Sequence, residues 1–131
     1  MTALRVLLVA VGGMIGTSAR LALGLVLPDA GLPWAVLTAN VLGALLIGVL
    51  TARLPSPEVR VFLGTGALGG FTTYSAFAVH AVTVSSASPP LGLVLIALSL
   101  IGGVFAAALG LVLGRRIAGV PNEIEQPEDA E

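Results

Sequence analysis

The chain has no cysteine among its 131 residues, which excludes disulfides, thiolate metal sites and thiol catalysis. Charge is almost as scarce. Asp, Glu, Lys and Arg make up 10% of the sequence, against about a quarter in an average soluble domain. With no basic patch, nucleic acid is excluded as a partner. A single histidine leaves haem without its usual partners. No acidic residue falls inside any long apolar stretch, which argues against proton-coupled transport, since that chemistry uses a titratable carboxylate at depth. No nucleotide-binding motif or hydrolase cluster is present, so an enzyme is not expected and any transport should be passive.

What remains is apolar. Hydrophobic residues make up 56% of the chain and the mean hydropathy is +1.05, so a single integral membrane unit lying in the lipid bilayer is expected. Four segments approach the roughly 20 residues that span a hydrocarbon core: Leu4 to Leu27, Trp34 to Ala52, Val61 to Val84 and Leu91 to Gly114. Pro28 to Gly31 with Pro33, Pro55 to Glu58, and Ser85 to Pro90 punctuate them. Arg5 before Val6 to Val11 resembles the start of a signal peptide. Apolar sequence nevertheless continues to Leu27 and three more segments follow, so the first segment is expected to be kept. Residues 117–131 carry five acids, no base and two prolines. The organisation expected is an all-α transmembrane unit over residues 1–116 and a disordered, solvated acidic tail over 117–131.

Small residues recur at four-residue spacing: Gly12 and Gly16, with Arg20 continuing the register; Ala39 and Gly43; Ala44 and Gly48; and Gly102, Ala106, Gly110 and Gly114. Lipid supplies no hydrophobic drive between helices, so close backbone approach over such residues is how they associate.

Polar groups within the segments are few. Arg20 either anchors at the interface, caps another helix's carbonyls, or faces an anion. His80 reads as interfacial. Asn40 either bridges two helices or turns its amide donors to a polar solute. Ser99 either bonds its own helix four residues back or faces the same solute. The third segment carries LGGFTTYSAF at 68–77, a run of poor helix formers. If it interrupts the helix, bare carbonyls must be satisfied. Either they coordinate a buried hard cation, with a second chain supplying the missing ligands, or neighbouring hydroxyls heal a glycine kink. A small four-helix multidrug-type exporter is the alternative function, and it lacks its central carboxylate here.

Gly12-Gly13-x-x-Gly16-x-x-x-Arg20, Asn40-x-x-Gly43-x-x-x-x-Gly48 and Gly69-Gly70-Phe71-Thr72-Thr73-Tyr74-Ser75-Ala76-Phe77 together resemble the signatures of the Fluc/CrcB fluoride channels. The resemblance covers all four segments in order, and its third motif is highly specific. It implies an antiparallel dimer of four-helix subunits, with the third helix broken mid-membrane. A structural Na+ is implied at the dimer centre, on the backbone carbonyls of Gly69 and Thr72. The implied fluoride pore is lined by Asn40, Tyr74, Ser75, Phe77 and Ser99, with Arg20 contributing structure and anion field. The implied function is passive, selective export of fluoride from the cytoplasm, which lowers intracellular fluoride. Tyr74 stands where the family usually has phenylalanine, and Ala76 where it has threonine.

Charge placement extends this. Arg5, Arg53, Arg60, Arg115 and Arg116 all lie on the side of the N-terminus, the second loop and the C-terminus, and the first and third loops hold no Lys or Arg. By the positive-inside rule both termini face the cytoplasm of a cell (inner or plasma) membrane. An antiparallel homodimer needs half its copies the other way round, so the partner is either a second copy or a companion chain of opposite bias.

Overall fold

A computed structural model describes residues 2–27, 32–53 and 56–119. The breaks at 28–31 and 54–55, and residues 120–131 of the expected acidic tail, lie outside the described residues. All described elements are helical. Helix α1 is Ala3–Val26, α2 is Trp34–Ala52, α4 is Tyr74–Ala87 and α5 is Pro89–Ala118. Helix α3 occupies 57–71: a turn of α-helix over Pro57–Val59, a π-helical stretch over Arg60–Leu68, and a last turn over Gly69–Phe71.

The helix ends follow local chemistry. The Ser56 hydroxyl accepts from the Val59 amide at 3.4 Å, with Pro57 in the first turn. Pro89 opens α5, where a missing N–H is harmless. Gly119, at φ 65, caps the other end in the left-handed conformation that glycine tolerates. Helix α5 therefore runs beyond Gly114 at one end and before Leu91 at the other, and residues 117 and 118 belong to it.

Helices α1, α2 and α5 have 24, 19 and 30 residues, and each is long and apolar enough to cross a membrane. The third apolar segment is shared between α3 and α4. The burial pattern is that of a protein solvated by lipid. Leu25, Val26 and Phe105 are 88%, 73% and 72% exposed, and among the described residues the buried hydrophobic side chains are only Ala39, Ala81, Leu95 and Ala106. Packing is backbone against backbone. A Cβ at Gly12 would run into the Phe62 carbonyl, and one at Gly16 into that of Ala67, so α1 lies directly on α3. A Cβ at Gly48 would meet the Ala107 carbonyl, one at Gly110 the Leu45 carbonyl, and one at Gly114 the Ala52 Cβ at 2.6 Å. These contacts advance together along both helices, so α2 and α5 run parallel.

The π-helical stretch has no counterpart in the sequence reading. Gly69 donates to Gly64, five residues back. Gly64 and Gly66 thin the widened coil, and a Cβ at Gly66 would come within 3.0 Å of the Gly12 Cα. The extra width is tolerated where no side chain has to fit against α1.

Candidate functional site

Between α3 and α4 the backbone is extended at Thr72 (φ −80, ψ 157) and Thr73 (φ −151, ψ 119). The hydrogen bonds around these two residues are redistributed in a definite way. In a continuous helix the Thr73 amide would go to the Gly69 carbonyl; it goes instead to Asn40 Oδ1 at 2.8 Å. The Ala76 amide would go to Thr72; it goes to the Thr73 hydroxyl at 3.2 Å, which makes Thr73 the N-cap of α4. The carbonyls of Gly69 and Thr72 have thus lost their helical donors. Gly69 is exposed, so its oxygen lies at the edge of the single chain. Backbone carbonyl oxygens without helical donors are of the ligand type that a hard cation takes.

Asn40 bridges helices. Its Nδ2 donates to the Thr73 carbonyl at 3.0 Å while its Oδ1 accepts the Thr73 amide. A carboxamide has two N–H donors, so one remains after this clamp is made. The bridging and solute-facing alternatives for Asn40 are therefore compatible.

Asn40, Thr72, Thr73, Tyr74, Phe77 and Ser99 come together around a cavity of about 440 Å³, with Gly69 at its margin. The Ser99 hydroxyl is buried with no hydrogen-bond partner, so it does not bond back to Leu95. A buried hydroxyl without a partner is costly, and Ser99 shares the lining of this cavity with Asn40 and the aromatic pair. Tyr74 and Phe77 have ring centroids 6.3 Å apart, tilted at 49°. Tyr74 is 81% exposed.

Two of the expected residues stand elsewhere. Ser75 is not among the walls; its hydroxyl shares a 3.3 Å hydrogen bond with the Thr73 hydroxyl at the cap. Arg20 caps a carbonyl: its Nε donates to Gly70 at 3.3 Å, and the Thr17 hydroxyl donates to the same oxygen at 3.4 Å. Arg20 also lines a separate cavity of about 290 Å³ together with His80. Nothing in the sequence signals that Thr17 bonds Gly70 or that Thr73 pairs with Asn40, because only the fold brings them together. No group of three or more His, Asp or Glu residues is gathered for a metal among the described residues.

Comparison with known proteins finds a matching family and named relatives. The sequence profile of the family described as "CrcB-like protein, Camphor Resistance (CrcB)" matches residues 7–111. A Bacillus subtilis protein named fluoride-specific ion channel FluC 2 is 40% identical over 114 residues, covering 84% of this chain and 87% of that protein. Fluoride-specific ion channel FluC 1 of Rhodococcus jostii is 44% identical over 112 residues, covering 85% and 86%. Fluoride-specific ion channel FluC of Thermus thermophilus is 41% identical over 124 residues, covering 88% and 98%.

Proposed function

This chain belongs to the CrcB family of membrane proteins, and on that premise we propose that it is a passive fluoride channel which lets the ion leave the cytoplasm. It is a channel and not an enzyme. The observation that carries the reading is the cavity at the interruption, whose lining includes Ser99 with its unpartnered hydroxyl, Asn40 with a spare N–H, and the two aromatic side chains Tyr74 and Phe77, and no carboxylate. Fluoride is small and tightly hydrated, so a path for it must replace water with hydrogen-bond donors. A hydroxyl and an amide donate, and ring edges carry the positive part of the aromatic quadrupole. Ser75, at the cap, would join this path only by turning its hydroxyl from Thr73.

The freed Gly69 and Thr72 carbonyls would hold a structural Na+ that supplies a fixed positive charge near the path. Two oxygens are too few for such an ion. A second subunit in antiparallel orientation would bring the other pair, and would cover Tyr74. In this assembly α3 and α4 together make the remaining crossing, with the interruption at mid-membrane. Fluoride efflux from liposomes holding the purified chain tests the function: efflux no faster than from protein-free liposomes sinks it.

Phe77→Ile keeps an apolar side chain and removes the ring edge. The expected result is at least about a tenfold fall in fluoride efflux, the equivalent of roughly 1.4 kcal/mol at the barrier, with the purified protein otherwise unchanged. Efflux at the wild-type rate would return both rings to packing.

We also infer that both termini face the cytoplasm of the cell membrane, from the five arginines on that side. So one-sided a charge count favours a companion chain of opposite bias over a homodimer. Reporter fusions at the C-terminus should then give signal from the cytoplasmic side alone. Comparable signal from both sides favours two copies of this chain.

A further inference from the structure

The cavity of about 290 Å³ holds chemistry that the proposed path does not use. It lies among α1, α2 and α4, shares no lining residue with the larger cavity, and is walled by Leu21, Gly24, Ala35, Val36 and Ala76 around two basic side chains, Arg20 and His80. Both are half-buried. The Arg20 guanidinium spends one of its five N–H donors on Gly70. The remaining guanidinium N–H groups and the His80 imidazole are potential hydrogen-bond donors in a cavity whose other lining side chains are apolar. We propose that this cavity is a second small-anion site in which Arg20 is the permanent charge and His80 a switchable one, so that fluoride is held more tightly when His80 is protonated. The proposal rests on the chain being a fluoride channel.

Few charges face His80. Among the described residues α1 offers Arg20 here and α2 has no charged side chain within Trp34–Ala52. Helix α5 packs on α4, but its Arg115 and Arg116 sit in the last turn. That turn follows Gly114, which lies against Ala52, whereas the cavity takes Ala35 and Val36 from the other end of α2. Asp29 is in the connection 28–31, outside the described residues, and is tested directly below. Histidine is the side chain that changes charge between about pH 5 and about pH 8. Protonating it places a second cation in the cavity, and an anion there gains accordingly. The site lies at the end of the fold carrying the arginine-free loops, the outward end by the charge rule. An acid exterior would then strengthen the hold on fluoride at that mouth.

His80 is the single histidine of the chain, so protein labelled with 15N-histidine, its purification tag removed, gives one imidazole signal. Sodium fluoride titrated at fixed pH is expected to move that signal. The half-maximal concentration should be roughly tenfold lower at about pH 5 than at about pH 8, the effect of one added charge nearby. Arg20→Gln should abolish the response. His80→Gln should remove the pH dependence of fluoride efflux beyond that of empty liposomes, and His80→Arg should fix efflux at its acid-side value. Asp29→Asn should leave the tenfold ratio in place. An imidazole signal indifferent to fluoride overturns the proposal. So does a response that survives Arg20→Gln, or a pH dependence carried by Asp29. Wild-type protein that passes no fluoride defeats the channel reading instead, whatever the imidazole does.

Discussion

Replacing Asn40 with aspartate is expected to abolish measurable fluoride efflux. The change keeps the size of the side chain and removes both N–H donors. One of them now holds the Thr73 carbonyl at 3.0 Å, and the carboxylate would place an acceptor against that acceptor. The other is the donor that the proposed path would use, and a negative charge in its place would repel fluoride as well as fail to bind it. A hydrogen bond to a charged group is worth about 1.5–3 kcal/mol, so loss of the donor alone predicts a fall of about ten- to a hundredfold. The added charge carries the effect further. Because the clamp is also broken, efflux has to be read beside helicity and elution volume. A variant that elutes and melts like the wild type and passes no fluoride isolates the pore role. One that conducts at the wild-type rate removes Asn40 from the path.

The clamp shows what the sequence exposed and what it concealed. The helices themselves were legible: α2 occupies Trp34–Ala52 as the apolar run and its flanking prolines require, and the small-residue registers of α1 and α5 are where backbones touch. Apolar length and four-residue spacing are local properties, and they survive folding. Helix α5 outran its expected limits because a proline in a first turn and a glycine beyond a last one are end signals whose placement by one turn the sequence leaves open. The π-helical stretch was invisible, since no local pattern distinguishes bonds to the fifth residue back from bonds to the fourth. In the site, residue types were legible and orientations were not. Asn40 and Thr73 stand 33 positions apart, so that only the packed fold reveals the amide committed on one side and free on the other. Arg20 was read with its alternatives open, and in the fold it both caps Gly70 and faces a cavity. Ser75 was grouped with the pore on the strength of its motif, and the competing cap interaction turns its hydroxyl to Thr73.

The paired glycines of the third segment should part company on mutation. Gly70→Val is expected to prevent assembly of a functional protein. A Cβ at position 70 would lie 2.5 Å from the Gly13 carbonyl, 3.1 Å from the Gly13 Cα and 3.1 Å from the Thr17 hydroxyl. The obstacle is backbone on α1, which cannot rotate away as a side chain would. Helix α1 must move off α3, and that also strips the Gly70 carbonyl of the Arg20 and Thr17 donors. Overpacking of this kind costs about 1–3 kcal/mol, and a carbonyl left unsatisfied away from water adds about as much again. Together these are a large part of the stability of a small protein. Gly69→Ala has no such obstacle: its Cβ would meet only the Gly64 carbonyl at 3.8 Å, from a backbone already helical at φ −64 and ψ −34. Alanine favours helix over glycine by about 1 kcal/mol, so this variant should fold as well as the wild type or better. Its fluoride efflux then reports on what lies beyond the single chain. If a partner subunit and an ion close over the exposed Gly69 carbonyl, the added methyl stands in their interface and efflux falls although the protein is intact. Wild-type efflux from Gly69→Ala would mean that nothing packs closely on that face. Recovery of Gly70→Val with normal yield, elution and efflux would show that α1 does not rest on the interruption at all.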